Sequence, residues 1–116
     1  MEDKDFEKLV GEALDSLPEE FAKKLDNVAV TFADWPTPMQ LWRGKVPPWG
    51  LLFGLYEGVP QTKRGVYYSA PPDKITIFKN SILRVCSTPE EVKEKVREVV
   101  IHEIGHHFGL SDSQMK

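Results

Sequence analysis

Apolar side chains recur near the N-terminus at the spacing of one helix face. They occupy the i, i+3, i+4 and i+7 positions of that face at Phe6, Leu9, Val10, Ala13, Leu14 and Leu17. Pro18 ends this helix and begins a shorter one over residues 19–25, because proline breaks a helix interior but suits a first helical turn. The pattern therefore predicts a helix and then a short helix at the start of the chain.

Short runs of apolar and β-branched residues predict strands further along the chain. They cover residues 28–32, 51–56 and 75–78. A proline-rich stretch over residues 34–50 separates the first two strands, and so much proline is expected to exclude regular structure. Its three tryptophans indicate that this loop packs against the rest of the protein.

The clearest helix signal lies near the C-terminus. Thr88 is expected as the N-cap, with Pro89 at the first helical position and Glu91 at the third. This helix should run to about Phe108, and Gly109 can take the left-handed conformation that ends many helices. Its apolar stripe consists of Val92, Val96, Val99 and Val100.

These elements predict an α+β fold. Ser81 is expected to cap a further short helix that runs through Cys86. The resulting order places helices on a small three-stranded mixed sheet, with the long helix near the C-terminus. The length of 116 residues fits one domain over residues 1–116.

Composition narrows the classes of function. The net charge is -3 and no cluster of lysine and arginine offsets it, so we expect no nucleic-acid partner. No apolar run reaches membrane-spanning length, and the acidic first residues do not form a signal peptide. The single Cys86 excludes an internal disulfide. A cytoplasmic protein without a membrane contact is the expectation.

All three histidines lie in one short motif on the predicted long helix. His102 and His106 are one helical turn apart, so their rings can share a metal ion. Glu103 is offset around the helix and can accept a proton from water on that ion. Glu103 also falls on the continuation of the apolar stripe, where a carboxylate is costly unless it is paired or linked to a metal. The motif predicts a Zn²⁺ site with Glu103 as general base, although such ligands also suit Fe²⁺.

A catalytic zinc site needs a third protein ligand and one open position. Asp112 is the candidate, because Gly109 can reverse the chain and three residues suffice to return a carboxylate to the metal. His107 is expected to pack, to line the cleft or to hydrogen-bond Asp112 rather than to bind the metal.

Four stretches in order, residues 6–18, 54–60, 72–78 and 102–112, together resemble the minimal zincins, and the last stretch is the most specific. This is a family of small, mostly bacterial proteins with a zincin-like metallopeptidase fold. The resemblance implies a reduced zincin core with three strands and an active-site helix near the C-terminus. It also implies that His102, His106 and Asp112 bind zinc and that Glu103 is the catalytic base.

Two functions are consistent with these patterns. The first is a zinc-dependent metallopeptidase, in which a peptide or protein substrate pairs with an edge strand beside the helix and Glu103 activates water. The second is a zinc-binding module with little or no peptidase activity that acts through a partner, since the chain leaves little room for the lower half of a cleft. Glu103 favours the first, because a structural zinc site has four ligands and needs no base.

Peptide hydrolysis would also need a donor for the oxyanion. The candidates are Tyr56, Tyr67, Tyr68 and Arg64, and each of them has the alternative of packing a sheet or lying in a solvated turn. Glu57 follows Tyr56 at the end of a predicted strand, where it would lie near the cleft or serve only as a turn residue.

Overall fold

The structure is a computed structural model that describes residues 1–58 and 72–109. Its helices are α1 (Asp3–Asp15), α2 (Glu19–Lys24), α3 (Pro38–Arg43), α4 (Lys79–Val85) and α5 (Pro89–His107). Its strands are β1 (Val28–Ala33), β2 (Gly54–Glu57) and β3 (Asp73–Phe78). The predicted α+β class is confirmed, and the long helix near the C-terminus is α5.

The strands form a three-stranded mixed sheet in the order β1-β3-β2. Strand β3 lies in the centre and pairs in parallel with β1, where Val28 stands opposite Asp73. It pairs in antiparallel fashion with β2, where Gly54 stands opposite Ile77. Strand β2 is therefore an edge of the described sheet, and α5 packs beside it.

The core lies between the sheet, α1 and α5. Its fully buried side chains include Phe6, Phe21, Ile75, Ile77, Val96, Val100 and Ile104. Phe6 from α1 meets Phe32 from β1 edge to face, with ring centroids 5.1 Å apart. Burial of these apolar surfaces is the main force that holds α5 against the sheet.

The proline-rich loop differs from the sequence prediction in two ways. It contains the regular helix α3, whose N-cap Thr37 accepts a hydrogen bond from the Gln40 amide at 3.1 Å and donates its own amide to Gln40 Oε1 at 2.9 Å. Pro38 occupies the first turn, where its missing N–H is no loss. The loop does pack against the rest of the protein, but through Leu41 and Val46 rather than its tryptophans. Trp42 is 75% exposed and Trp49 is 86% exposed.

The short helix after β3 begins earlier than expected. Helix α4 starts at Lys79, so Ser81 lies inside it and is not its cap. The Ser81 hydroxyl is fully buried and has no hydrogen-bond partner among residues 1–58 and 72–109. At the start of α4, the buried Lys79 ammonium pairs with Asp3 Oδ1 at 2.7 Å, and this ion pair ties α4 to the start of α1.

Within the described residues, no helix combines the length and the apolar character that crossing a membrane requires.

Candidate metal centre

Helix α5 carries the histidine motif. Its N-terminal cap, its buried stripe and the glycine after its C-terminus fix its position against the core. The predicted cap is confirmed: Thr88 Oγ1 accepts from the Glu91 amide at 3.1 Å, and Glu91 Oε1 accepts from the Thr88 amide at 3.0 Å. The stripe that faces the core is Val92, Val96, Val100 and Ile104, spaced four residues apart and all buried. Past its C-terminus, Gly109 has a φ of 70°, the left-handed conformation expected there.

The first two histidines of the motif lie side by side. The ring centroids of His102 and His106 are 4.1 Å apart, and the ring planes make an angle of 56°. Both side chains are exposed and line the same cleft. Neutral imidazoles placed one turn apart in this way can bind one metal ion through one nitrogen each.

Glu103 lies to one side of them, at the margin of the buried stripe. Its side chain is half-buried, and its Oε1 accepts a hydrogen bond from the main-chain amide of Tyr56 at 2.9 Å. The carboxylate on the stripe is thus paired, as the cost of burying it requires. Glu103 lines the same cleft as the two histidines, so the candidate base and the two candidate metal ligands share one wall.

Several predicted site residues fall outside the described part of the chain. They are Asp112, Tyr67, Tyr68 and Arg64. Among residues 1–58 and 72–109, no group of three histidine, cysteine, aspartate or glutamate side chains is arranged to hold a metal ion. The assignment of Asp112 as third ligand therefore stays a prediction.

His107 and Tyr56 contact each other beside the motif. Their rings are stacked at 3.9 Å between centroids with 14° between planes. The Tyr56 hydroxyl donates a hydrogen bond to Asp73 Oδ2 at 2.8 Å, which links edge strand β2 to the start of β3. Sequence reasoning did not single out Asp73, because nothing in its local pattern indicates a partner 17 residues away. His107 lies outside the residues that line the cleft.

Glu57 holds α3 against the sheet. Its carboxylate accepts hydrogen bonds from Gln40 Nε2 and Arg43 Nη1, each at 3.1 Å, and from Thr76 Oγ1 at 3.4 Å. Its side chain is only 15% exposed and does not line the cleft with the histidines. The contacts of Glu57 connect the proline-rich segment to β2 and β3.

The cleft beside the histidines has a volume of about 330 Å³. One wall comes from the segment before β2 and the first residue of β2, and consists of Gly44, Leu51, Leu52, Phe53 and Gly54. The other wall is α5, where Lys95, Glu98 and Val99 precede the motif. The Lys95 ammonium lies 4.4 Å from the centroid of the Phe53 ring, so a cation–π contact joins the two walls. Sequence reasoning missed both residues, although Lys95 lies two turns before His102 on the same side of the helix.

Cys86 lies before the N-terminus of α5, at the opposite end from the histidines. Its thiol contacts the Glu91 carbonyl oxygen at 3.5 Å. Burial raises the pKa of the Cys86 thiol, and the negative charge of Glu91 raises it further. A thiol with a raised pKa is a weak nucleophile, so Cys86 adds no reactive group to the site.

The described residues of the site supply two side chains that suit a zinc ion as ligands. Two exposed imidazoles lie close enough to share one ion, and imidazole nitrogen is a preferred ligand of Zn²⁺. The half-buried Glu103 carboxylate is held by an amide and stands beside them. These residues match two of the ligands and the base that the minimal-zincin resemblance predicts.

An α+β fold with this motif on its last long helix defines the class of zincin-like metallopeptidases. The sequence profile of the family described as zincin-like metallopeptidase matches residues 25–116, so the chain belongs to this family. Zinc is the usual metal of the family. A comparison with curated proteins found no match.

A solved structure with the same fold is that of a conserved hypothetical protein from Thermus thermophilus. The two chains are 23% identical, and the alignment covers 90% of this chain and 91% of the other with a TM-score of 0.55. At this level of identity the likeness supports the fold and carries no activity from one protein to the other.

Proposed function

We propose that this protein is a zinc-dependent hydrolase that cleaves peptide bonds in peptide or protein substrates. The observation that carries the proposal is the shared cleft wall of His102, Glu103 and His106, in which two adjacent imidazoles lie beside a carboxylate held by an amide. A site that only stores or binds zinc has no use for the carboxylate.

Each residue of the motif has a separate role in this proposal. His102 and His106 hold the zinc ion, with Asp112 as the proposed third ligand. When bound, the ion lowers the pKa of a water molecule towards neutrality and polarises the substrate carbonyl. Glu103 accepts the proton of the attacking water and passes it to the leaving nitrogen.

The opposite wall of the cleft supports a peptide as the substrate. Leu51, Leu52 and Phe53 provide an apolar surface against which a substrate side chain can pack. Lys95 and Glu98 lie further along α5 and offer charged groups to the polar main chain or to a charged side chain. The cleft is therefore suited to an extended chain that follows α5 past the histidines.

Zinc content tests the metal site. Metal analysis of the purified protein is expected to find about one Zn²⁺ per chain, as a single three-ligand site requires. His106→Ala should lose most of that zinc, because one ligand disappears. His107→Ala is the matched control from the same helical turn and should keep it. Full zinc occupancy in His106→Ala would show that the site assignment is wrong.

A peptide library tests the activity. Zinc-loaded protein is expected to cleave a subset of peptides, and Glu103→Gln should lower the rate by about 10²–10⁴-fold, the usual contribution of a general base. A chelator should abolish the wild-type rate. Equal turnover in both proteins that resists the chelator, or no turnover across a wide library, would favour a zinc-binding module instead.

A further inference from the structure

Edge strand β2 and helix α5 approach each other unusually closely at one point. A Cβ atom added to Gly54 would lie 2.5 Å from Val99 Cγ1 and 3.3 Å from the Thr76 carbonyl oxygen. The first distance is far below a van der Waals contact, so any larger residue at position 54 would push the strand and the helix apart. Glycine at this position is thus a condition of the close packing.

The consequence of that approach appears two residues along the strand. Tyr56 lies on the same face of β2 as Gly54, and its amide donates to Glu103 Oε1 at 2.9 Å. The Tyr56 ring stacks on His107 of α5, and its hydroxyl is bound to Asp73 of β3. Contacts with the helix and with the central strand therefore fix the direction in which this amide points.

The hydrogen bond restrains a side chain that would otherwise rotate. The last torsion of a glutamate is broad, so an unbound carboxylate samples many orientations. With Oε1 bound to the Tyr56 amide, Oε2 is left as the oxygen that can take up a proton. An amide that bonds an ionised carboxylate forms one of the stronger hydrogen bonds in proteins.

We propose that Tyr56 is a positioning residue that orients the base Glu103 through its main-chain N–H, and that Gly54 permits this contact. The inference rests on the proposed function in its choice of Glu103 as the base. It also limits how a substrate strand can pair with β2. The Tyr56 amide already donates to Glu103, so it cannot donate a main-chain hydrogen bond to the substrate.

Hydrogen exchange at single amides tests the contact without reference to turnover. In ¹⁵N-labelled protein, metal-free and zinc-loaded, Glu103→Ala is expected to speed exchange of the Tyr56 amide about ten-fold or more, because the amide loses a charged acceptor. Amides of the central strand, such as that of Ile77, should keep their rates. Glu94→Ala removes an exposed carboxylate from the same helix and should leave Tyr56 unchanged. An unchanged Tyr56 rate in Glu103→Ala, or an equal rise at Ile77, would overturn the proposal.

The role of Gly54 is tested by the same exchange measurement, with a second substitution that should restore the contact. Gly54→Ala is expected to speed exchange of the Tyr56 amide, and the double variant Gly54→Ala/Val99→Ala should slow it again by making room for the added methyl group. Gly11→Ala is the matched control, since nothing lies within 4 Å of the added atom. A wild-type rate in Gly54→Ala, or no recovery in the double variant, would refute the role of Gly54.

The two proposals fail in different ways. A protein without peptidase activity would still show the Tyr56 response, and only the assignment of Glu103 as a base would fall. An active protein without the Tyr56 response would keep the hydrolase and lose the positioning role. Where turnover is measurable, Gly54→Ala is expected to lower kcat by about ten-fold at an unchanged zinc content, as small displacements of a catalytic group do.

Discussion

The two flanks of α5 carry different residues over the same helical turns. The flank towards the core consists of Val92, Val96, Val100 and Ile104, which are all buried. The flank towards the cleft consists of Lys95, Glu98, His102 and His106, which are partly or largely exposed. The first packs against α1 and the sheet, while the second forms one wall of the candidate site.

The difference shows how one helix serves both stability and chemistry. In proteins most helix stability comes from burying an apolar face rather than from helix propensity. The cleft flank can therefore hold polar groups at little cost to the fold. Glu103 lies at the boundary between the flanks, and it is the motif residue whose side chain bonds a main-chain amide of the sheet.

The largest effect on stability is expected from the core flank. Ile104→Ala should lower the free energy of unfolding by about 2–5 kcal/mol, because it removes buried methyl groups and leaves a cavity in the core. Denaturant unfolding of the metal-free protein measures this. A loss below about 1 kcal/mol would mean that the core closes around the smaller side chain and that the two flanks differ less than proposed.

Zinc itself should give the next largest effect, and it acts on the cleft flank. At a free zinc concentration of 100 times the dissociation constant, binding to the folded state alone adds about 2.7 kcal/mol of stability. Thermal unfolding with and without zinc should therefore separate in the wild type and coincide in His102→Ala. A zinc shift that persists in His102→Ala would place the ion elsewhere.

The smallest effect is expected from His102→Ala in the absence of metal. The side chain is exposed, so its removal should change the free energy of unfolding by no more than about 0.5 kcal/mol. The measurement is the same denaturant titration as for Ile104→Ala, two positions away. A loss comparable to that of Ile104→Ala would show that the histidine supports the fold.

Local signals in the sequence predicted the helix and the motif well. The capping box of Thr88 and Glu91 and the left-handed Gly109 depend on residues within one turn, so the sequence shows them directly. The proximity of His102 and His106 follows from helix geometry alone. The family profile matches residues 25–116, and this match confirms the predicted resemblance to the minimal zincins.

Features that depend on distant partners were missed. The strand order β1-β3-β2, the bond from Tyr56 to Asp73 and the close approach of Gly54 to Val99 join residues far apart in sequence, and no local pattern marks them. The failure to predict helix α3 has a different cause. Thr37 and Gln40 form a recognisable capping box, but the density of proline around them outweighed it.

The pairing of the first helix with the last has a consequence for how the protein is made. Helix α1 begins at Asp3 and α5 ends at His107, yet the two share one core. Strand β1 likewise finds its parallel partner only when Asp73 and the residues after it have been synthesised. Contacts of such long range slow folding and delay it until most of the polypeptide has left the ribosome. The contact between Glu103 and β2 is thus expected to form together with the core that contains Phe6.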